Sequence, residues 1–192
     1  MGKVKEVQVN GKKFKLGESV EESFEAALKE VLLWHISSFA WLVADIPGIN
    51  PDFLCQKLSI NPQVKPVAQR RRKFNDEKRQ ALREEVWKLV EVNHIREVQY
   101  PSWLSNVVMV MKSSGRWRMC VDFTDLNSAC PKDSYPLPNI DILVDNASGH
   151  GFLSFMDAFS RYNQIQMHLL DEENTSFMAE SANYCYKVMP FG

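Results

Sequence analysis

The aspartate at 157, in "LSFMDAFSRYNQIQM" (153–167), ends an apolar run and is followed by Ser160, Arg161 and Tyr162. If residues 152–157 form a strand, Leu153, Phe155 and Asp157 share a face and the carboxylate stands at its last position, where a side chain can reach the edge of a cleft. Burying a carboxylate costs several kcal/mol unless it is compensated. Two readings are open: an exposed carboxylate or helix cap, or a ligand for Mg²⁺, which takes one or two carboxylates together with substrate phosphates. A pair of such ions roughly 3.5–4 Å apart activates a hydroxyl and steadies a leaving oxygen in phosphoryl transfer. That chemistry needs more than one carboxylate.

Two further groups of side chains suit phosphate. In "NVVMVMKSSGRWRMCVDF" (106–123), read as strand, turn and strand, a period of two places Trp117, Met119, Val121 and Phe123 on one face. Arg116, Arg118, Cys120 and Asp122 take the other. Guanidinium forks donate paired hydrogen bonds to phosphate, although exposed strand arginines are common without any such role. The run Arg70, Arg71, Arg72 and Lys73 is either a solvated stretch or an arm attracted to phosphates.

The elements that must position these groups follow from pattern. Asn10-Gly11 suits a tight hairpin turn inside residues 4–17, because both positions tolerate positive φ. A helix is predicted from Ser19, as cap, to about His35, with Phe24, Ala27, Leu28, Val31 and Leu32 on one stripe. Pro47, Pro51, Pro62 and Pro66 make residues 44–66 an extended linker. A second helix should start at an Asn75 cap, with Asp76 and Glu77 in its first turn, and run to about 93, burying Leu82, Val86, Leu89 and Val90. A short helix with Ile140, Leu143 and Val144 inward should end near Gly149. Strands are expected near 152–157, 164–169 and 175–188, the last broken by a turn near Asn183. Helices interspersed with hairpins describe an α+β layer.

The chain has 192 residues, 45% hydrophobic and 24% charged, enough for a substantial core. Its formal net charge of -1 is uneven. Lys and Arg exceed Asp and Glu by about four over 65–100, and fall short by about five over 145–181, an asymmetry shared by nucleic-acid binders and by plain solvated helix faces. Cys55, Cys120, Cys130 and Cys185 show no Cys-x-x-Cys spacing and are read as reduced, mostly buried thiols of an intracellular, cytoplasmic protein. No apolar run approaches the roughly 20 residues that span a bilayer, and "MGKVKEVQ" fits neither a signal peptide nor a myristoylation site, so no membrane partner is expected.

Taken in order, "KPVAQRRRKF", "IREVQYPSWLSNVVMVMKSSGRWRMCVDFTDLNSACPKDSYPLPNID", "LSFMDAFSRYNQIQMH" and "YCYKVMPFG" closely resemble the reverse transcriptase of gypsy-type long-terminal-repeat retrotransposon polyproteins, especially those of plants. The resemblance spans about 36–192, and residues 1–35 resemble the region between protease and polymerase. It implies a right-hand polymerase fold with three parts here: residues 1–43 as a hairpin and helix, 44–66 as linker, and 67–192 as fingers and the N-terminal part of the palm. It implies an RNA-directed DNA polymerase that extends a primer 3′-hydroxyl on an RNA or DNA template with deoxynucleoside triphosphates and two Mg²⁺ ions, in company with the rest of a polyprotein.

By the same resemblance Asp157 is the first metal-binding, catalytic aspartate. Arg118, with Arg116 and Lys112, holds the incoming triphosphate. Tyr162 lies under the sugar and excludes a 2′-hydroxyl by bulk. Phe191 and Gly192, in "MPFG", pack against the nascent base pair and template. The chain departs from the family in having Arg161 where glycine is usual, in lacking the proline after His168, and in containing no Asp-Asp dipeptide, whereas the family's Tyr-x-Asp-Asp turn supplies the other metal carboxylates. The sequence is therefore expected to be truncated before that turn and inactive in isolation. The alternative is a non-catalytic, nucleic-acid-binding remnant of a decayed element.

Overall fold

The structure is a computed structural model that describes residues 3–42, 45–46, 48–132, 138–151, 153 and 161–190, with Arg161 described through its backbone alone. The chain divides into two compact units, Met1–Asp45 and Ile46–Gly192.

In the first unit β1 (Val4–Val9) pairs antiparallel with β2 (Lys12–Gly17), Val9 facing Lys12. The turn between them is the expected one: Asn10 and Gly11 take φ 48° and 73°, the left-handed region these two residue types tolerate best. Helix α1 (Glu22–Trp34) begins later than Ser19, with Glu21 at its cap and no side chain capping it. Ser19 instead lies in a turn closed by Val20 N–H donating to Gly17 O at 3.2 Å. No described residue of α1 is buried; Phe24 is 41% and Val31 55% exposed. Phe14 meets Phe39 and Trp41 edge-on at 5.3 and 5.9 Å, Phe39 and Trp41 lie tilted at 5.9 Å, and Lys12 Nζ stands 4.7 Å above the Trp41 ring.

In the second unit α2 (Asp76–Glu91) starts where its cap predicts, Asn75 Oδ1 accepting from Lys78 N at 3.1 Å. Leu82 and Val86 are buried and Leu89 packs on the core, but Val90 stays 45% exposed. The core beneath joins Ile95, Trp103, Val107, Val121, Phe123, Leu126, Phe177 and Tyr186. A three-stranded antiparallel sheet has the order β4 (Ile95–Val98), β9 (Asn183–Tyr186), β8 (Phe177–Met178). A separate hairpin pairs β5 (Val107–Met111) with β6 (Trp117–Val121). Ser105 ties the hairpin to the sheet, its N–H reaching Ser176 O and its carbonyl taking Met178 N–H, both at 2.9 Å.

From Ile46 onward the proline-containing stretch is part of the second unit rather than a free linker, and turns break it where Phe53 N–H donates to Asn50 O at 2.9 Å and Val64 N–H to Asn61 O at 3.0 Å. β3 (Cys55–Gln56) pairs parallel with β7 (Gln166–Met167), and Leu58 and Ile60 pack on the core. The reason is local: Leu58 N–H finds Asp171 Oδ2 at 3.1 Å and Asn61 N–H finds Ala129 O at 2.8 Å, so the backbone donors of an extended segment are satisfied by docking.

The turn expected near Asn183 falls at 179–182, closed by Ala179 N–H to Ala182 O, and Asn183 opens β9. Two further expectations change. After the short α3 (Thr124–Ala129), α4 (Ile140–Ala147) ends before Gly149, which takes φ 80°, but Ile140, Leu143 and Val144 face outward at 73%, 57% and 61% exposure. The cysteines are unpaired, and Cys185 alone of the four is buried. Of the strand expected over 152–157, only Leu153 belongs to the described residues.

Candidate nucleotide and nucleic-acid interface

The run from Arg70 to Lys73 does not hang free. Ala68 bridges Leu104, Gln69 N–H donates to Leu104 O at 2.8 Å, and Leu104 N–H donates to Val67 O at 3.0 Å, which straps the segment along the entry to β5. Gln69 and Asn106 lock it. Gln69 Oε1 accepts from Asn106 N at 2.8 Å, while Gln69 Nε2 donates to Asp125 Oδ2 at 2.7 Å and to Asp122 O at 3.2 Å. Asn106, only 5% exposed, gives its amide to Arg70 O and takes Arg72 N–H on Oδ1, both at 2.9 Å. A buried amide with every group engaged is a fixed point in a way that a solvated one is not.

The guanidiniums of the strap are shared out differently. Arg71 Nη2 donates to Ala179 O at 2.6 Å, and Arg72 Nη2 meets Asp122 Oδ2 at 2.7 Å. Arg70 and Lys73 are exposed. Beside them a cleft of about 300 Å³ is lined by Arg71, Arg72, Lys73, Arg79, Asn106 and Glu180 among others. Glu180 offsets part of its positive charge by pairing with Arg83 at 3.1 Å and Arg79 at 3.9 Å.

The β5–β6 hairpin has the alternation read from its sequence. Val121 and Phe123 are buried and Trp117 and Met119 pack on the core, while Arg116 and Arg118 are exposed. Its tip is closed by Lys112 N–H to Arg116 O and Gly115 N–H to Lys112 O, both at 2.9 Å, with Gly115 at φ 77°, so Lys112 and Arg116 emerge at one end. Asp122 lies one residue beyond β6, in the same alternation as Arg118, and its carboxylate takes Arg72 of the strap. The two basic stretches, far apart in sequence, are thereby fastened to one hairpin. The Thr124 hydroxyl at 2.6 Å, the Thr124 N–H and the Arg72 charge together hold the Asp122 carboxyl below the usual carboxylate range.

Tyr162 stands on a 3₁₀ turn, Arg161–Gln164, and is 39% exposed. Ile165 N–H closes the turn on Tyr162 O at 2.9 Å; Gln164 O accepts Ile49 N–H at 2.8 Å and Ile165 O accepts Met189 N–H at 2.7 Å. Asn163 Nδ2 lies 3.3 Å from His94 Nδ1. The loop before β8 is clamped by Arg96 of β4, whose Nε donates to the buried Glu172 Oε2 at 2.8 Å.

Asp157, Phe191 and Gly192 lie outside the described residues, and so does any contact among them. Among the described residues no three His, Cys, Asp or Glu side chains gather as a metal site would require. No described helix is long and apolar enough to cross a membrane. The sequence reading missed Gln69, Asn106, His94 and the Arg96–Glu172 pair. Only Glu172 carried any signal, as an acid in a stretch whose neighbours become buried.

Residues 110–192 match the family model described as reverse transcriptase (RNA-dependent DNA polymerase). The chain is 25% identical over 183 residues to the retrovirus-related Pol polyprotein from transposon 412 of Drosophila melanogaster, covering 92% of this chain and 14% of that protein. It is 35% identical over 75 residues to the Pol polyprotein from transposon gypsy of the same organism, covering 39% and 7%. An RNA-directed DNA polymerase homolog of Oenothera berteroana is 32% identical over 75 residues, covering 39% and 53%. The chain thus spans a small fraction of the two polyproteins. In fold, prototype foamy virus protease-reverse transcriptase superposes with a TM-score of 0.67 at 15% identity, covering 91% of this chain and 23% of that one. The α+β arrangement of helices and antiparallel hairpins is that of a reverse transcriptase. Residues 110–192 thus match the reverse transcriptase family model, and the chain is similar to retrotransposon Pol polyproteins.

Proposed function

We propose that this chain carries the nucleotide- and template-facing part of an RNA-directed DNA polymerase, and that its strap and hairpin act together on the phosphates of a template-primer and an incoming deoxynucleoside triphosphate. The observation that carries this reading is the Arg72–Asp122 pair with the Gln69–Asn106 lock, because it brings two basic stretches separated by some 40 residues onto one hairpin. Arg70 and Lys73 would meet backbone phosphates as point charges. Lys112, Arg116 and Arg118 would hold the triphosphate from the hairpin, and Tyr162 would stand against the sugar. Phe191 and Gly192 would pack on the base pair.

Reverse transcriptases generally use divalent metal. In this chain Asp157 would hold Mg²⁺, which when bound supplies activation of the primer 3′-hydroxyl and charge neutralisation at the leaving oxygen. With no Asp-Asp dipeptide in the sequence, the 192 residues alone are expected to bind template-primer without extending it.

Two measurements test this. Affinity of the purified chain for a template-primer duplex should fall steeply with salt, and Arg70→Ala with Lys73→Ala should flatten the log–log slope by about 1–2, one step per phosphate contact. Binding that is indifferent to salt, or to both substitutions, would overturn the interface. Primer extension with Mg²⁺ should give no product; incorporation that vanishes in Asp157→Asn would instead make this chain a complete catalyst.

A further inference from the structure

His94 is fixed on its main chain at both ends. Its N–H donates to Leu89 O at 2.9 Å, capping the end of α2, and its carbonyl accepts Lys187 N–H at 2.8 Å, just past β9. Asn93 before it adopts φ 57° and takes Lys187 Nζ on Oδ1 at 2.8 Å, so the corner between α2 and β4 is held rigidly against the strand that leads to Pro190. From that corner the half-buried imidazole reaches Asn163, the residue next to Tyr162. With Asn163 Nδ2 as the donor, His94 Nδ1 accepts and the ring carries its hydrogen on Nε2. Burial lowers the His94 pKa, which keeps the ring neutral and the acceptor available.

Main-chain ties at Gln164 and Ile165 hold the end of the 3₁₀ turn. The Asn163–His94 bond acts at the residue adjacent to the tyrosine itself. We propose that His94 is a positioning residue: neutral and hydrogen-bonded to Asn163, it sets the turn that carries Tyr162 and thereby the sugar discrimination expected of that tyrosine. The inference rests on the reading of Tyr162 as the sugar gate, and its consequences separate into a structural and a functional arm.

The structural arm uses native-state hydrogen exchange on the full chain. The Ile165 amide, which closes the turn on Tyr162 O, reports the turn; the Tyr186 amide, bonded to the buried Thr175 hydroxyl at 2.9 Å, reports the core. His94→Phe fills the space without an acceptor and should speed exchange at Ile165 about tenfold, the scale of one lost hydrogen bond, while leaving Tyr186 unchanged. His94→Asn, which keeps an acceptor near the place of Nδ1, should restore protection. Unchanged Ile165 exchange in His94→Phe, or equal acceleration at both amides, would overturn the proposal.

The functional arm compares binding of dUTP and UTP, which differ only at the 2′ position, to the chain on a template-primer. The deoxy preference should fall in Tyr162→Val and, more weakly, in His94→Phe, and return in His94→Asn. A preference lost in Tyr162→Val but intact in His94→Phe would remove His94 from nucleotide selection. No loss in Tyr162→Val would remove the sugar gate, while Ile165 exchange still decides whether His94 sets the turn.

Discussion

Helices α2 and α4 carry similar sequence signals and meet different fates. Each is capped by an asparagine that accepts from its first turn, Asn75 from Lys78 N and Asn139 from Asp141 N, and each has apolar residues at helical spacing. In α2 the stripe is covered by β4 and β6 of the core, with Leu82 2% exposed. In α4 the apolar residues Ile140, Ile142, Leu143 and Val144 are all more than half exposed. Amphipathic spacing therefore predicts that a helix forms and which face is apolar; it carries no information on whether another element exists to cover that face. α1, which buries no described residue, teaches the same lesson in the first unit.

The comparison breaks most visibly in the core. Leu82→Ala should cost about 2–5 kcal/mol of unfolding free energy, as cavity-forming substitutions do, while Leu143→Ala should change it by less than about 0.5 kcal/mol. Urea unfolding of the two variants checks this, and equal losses would mean that α4 is covered in solution.

Next in size is the clamp on the sheet that α2 packs over. Arg96→Met strands the Glu172 carboxylate, which is 5% exposed, and should cost about 1–3 kcal/mol, whereas Glu173→Gln, on the exposed partner 3.6 Å from Arg96, should be near neutral. Thermal unfolding of both variants distinguishes a buried pair from a surface one.

The caps sharpen the contrast further. Asn75→Ala should lower global stability by about 1 kcal/mol, because α2 cannot fray without uncovering the core. Asn139→Ala should loosen only α4, seen as faster amide exchange at Leu143 with an unchanged unfolding midpoint.

The smallest effect is electrostatic. Because the folded Asp122 carboxyl titrates below its unfolded value of about 3.9, its stabilising contribution is present above about pH 4 and is lost as pH falls through the folded value. Unfolding midpoints measured from pH 5 downward should therefore fall more steeply in the wild type than in Asp122→Asn.

Much of this was readable from local chemistry. The Asn10-Gly11 turn needs only two residues that accept positive φ, the Asn75 cap only a side-chain oxygen beside orphan amides, and the alternation of Trp117 through Phe123 only the pleat of a strand. The order of motifs from Lys65 to Gly192 named the family. Each of these depends on neighbours within a few residues, or on a string of identities that is itself one-dimensional.

What tertiary structure alone decided is everything that needed a distant partner. Prolines predicted an extended segment at 44–66, but its docking rests on donors at Leu58 and Asn61 finding Asp171 and Ala129. Four consecutive cations fitted a solvated stretch as well as an arm attracted to phosphates; which of them remain available depended on Asp122, Ala179 and a buried Asn106 that no local pattern singled out. His94 lies 69 residues before Asn163 in the chain, and the fold alone sets it 3.3 Å away. Sequence determines which groups the chain owns and how they repeat, whereas burial and pairing are properties of the space between elements, and there a cap, a charge or an apolar stripe finds its partner or remains exposed.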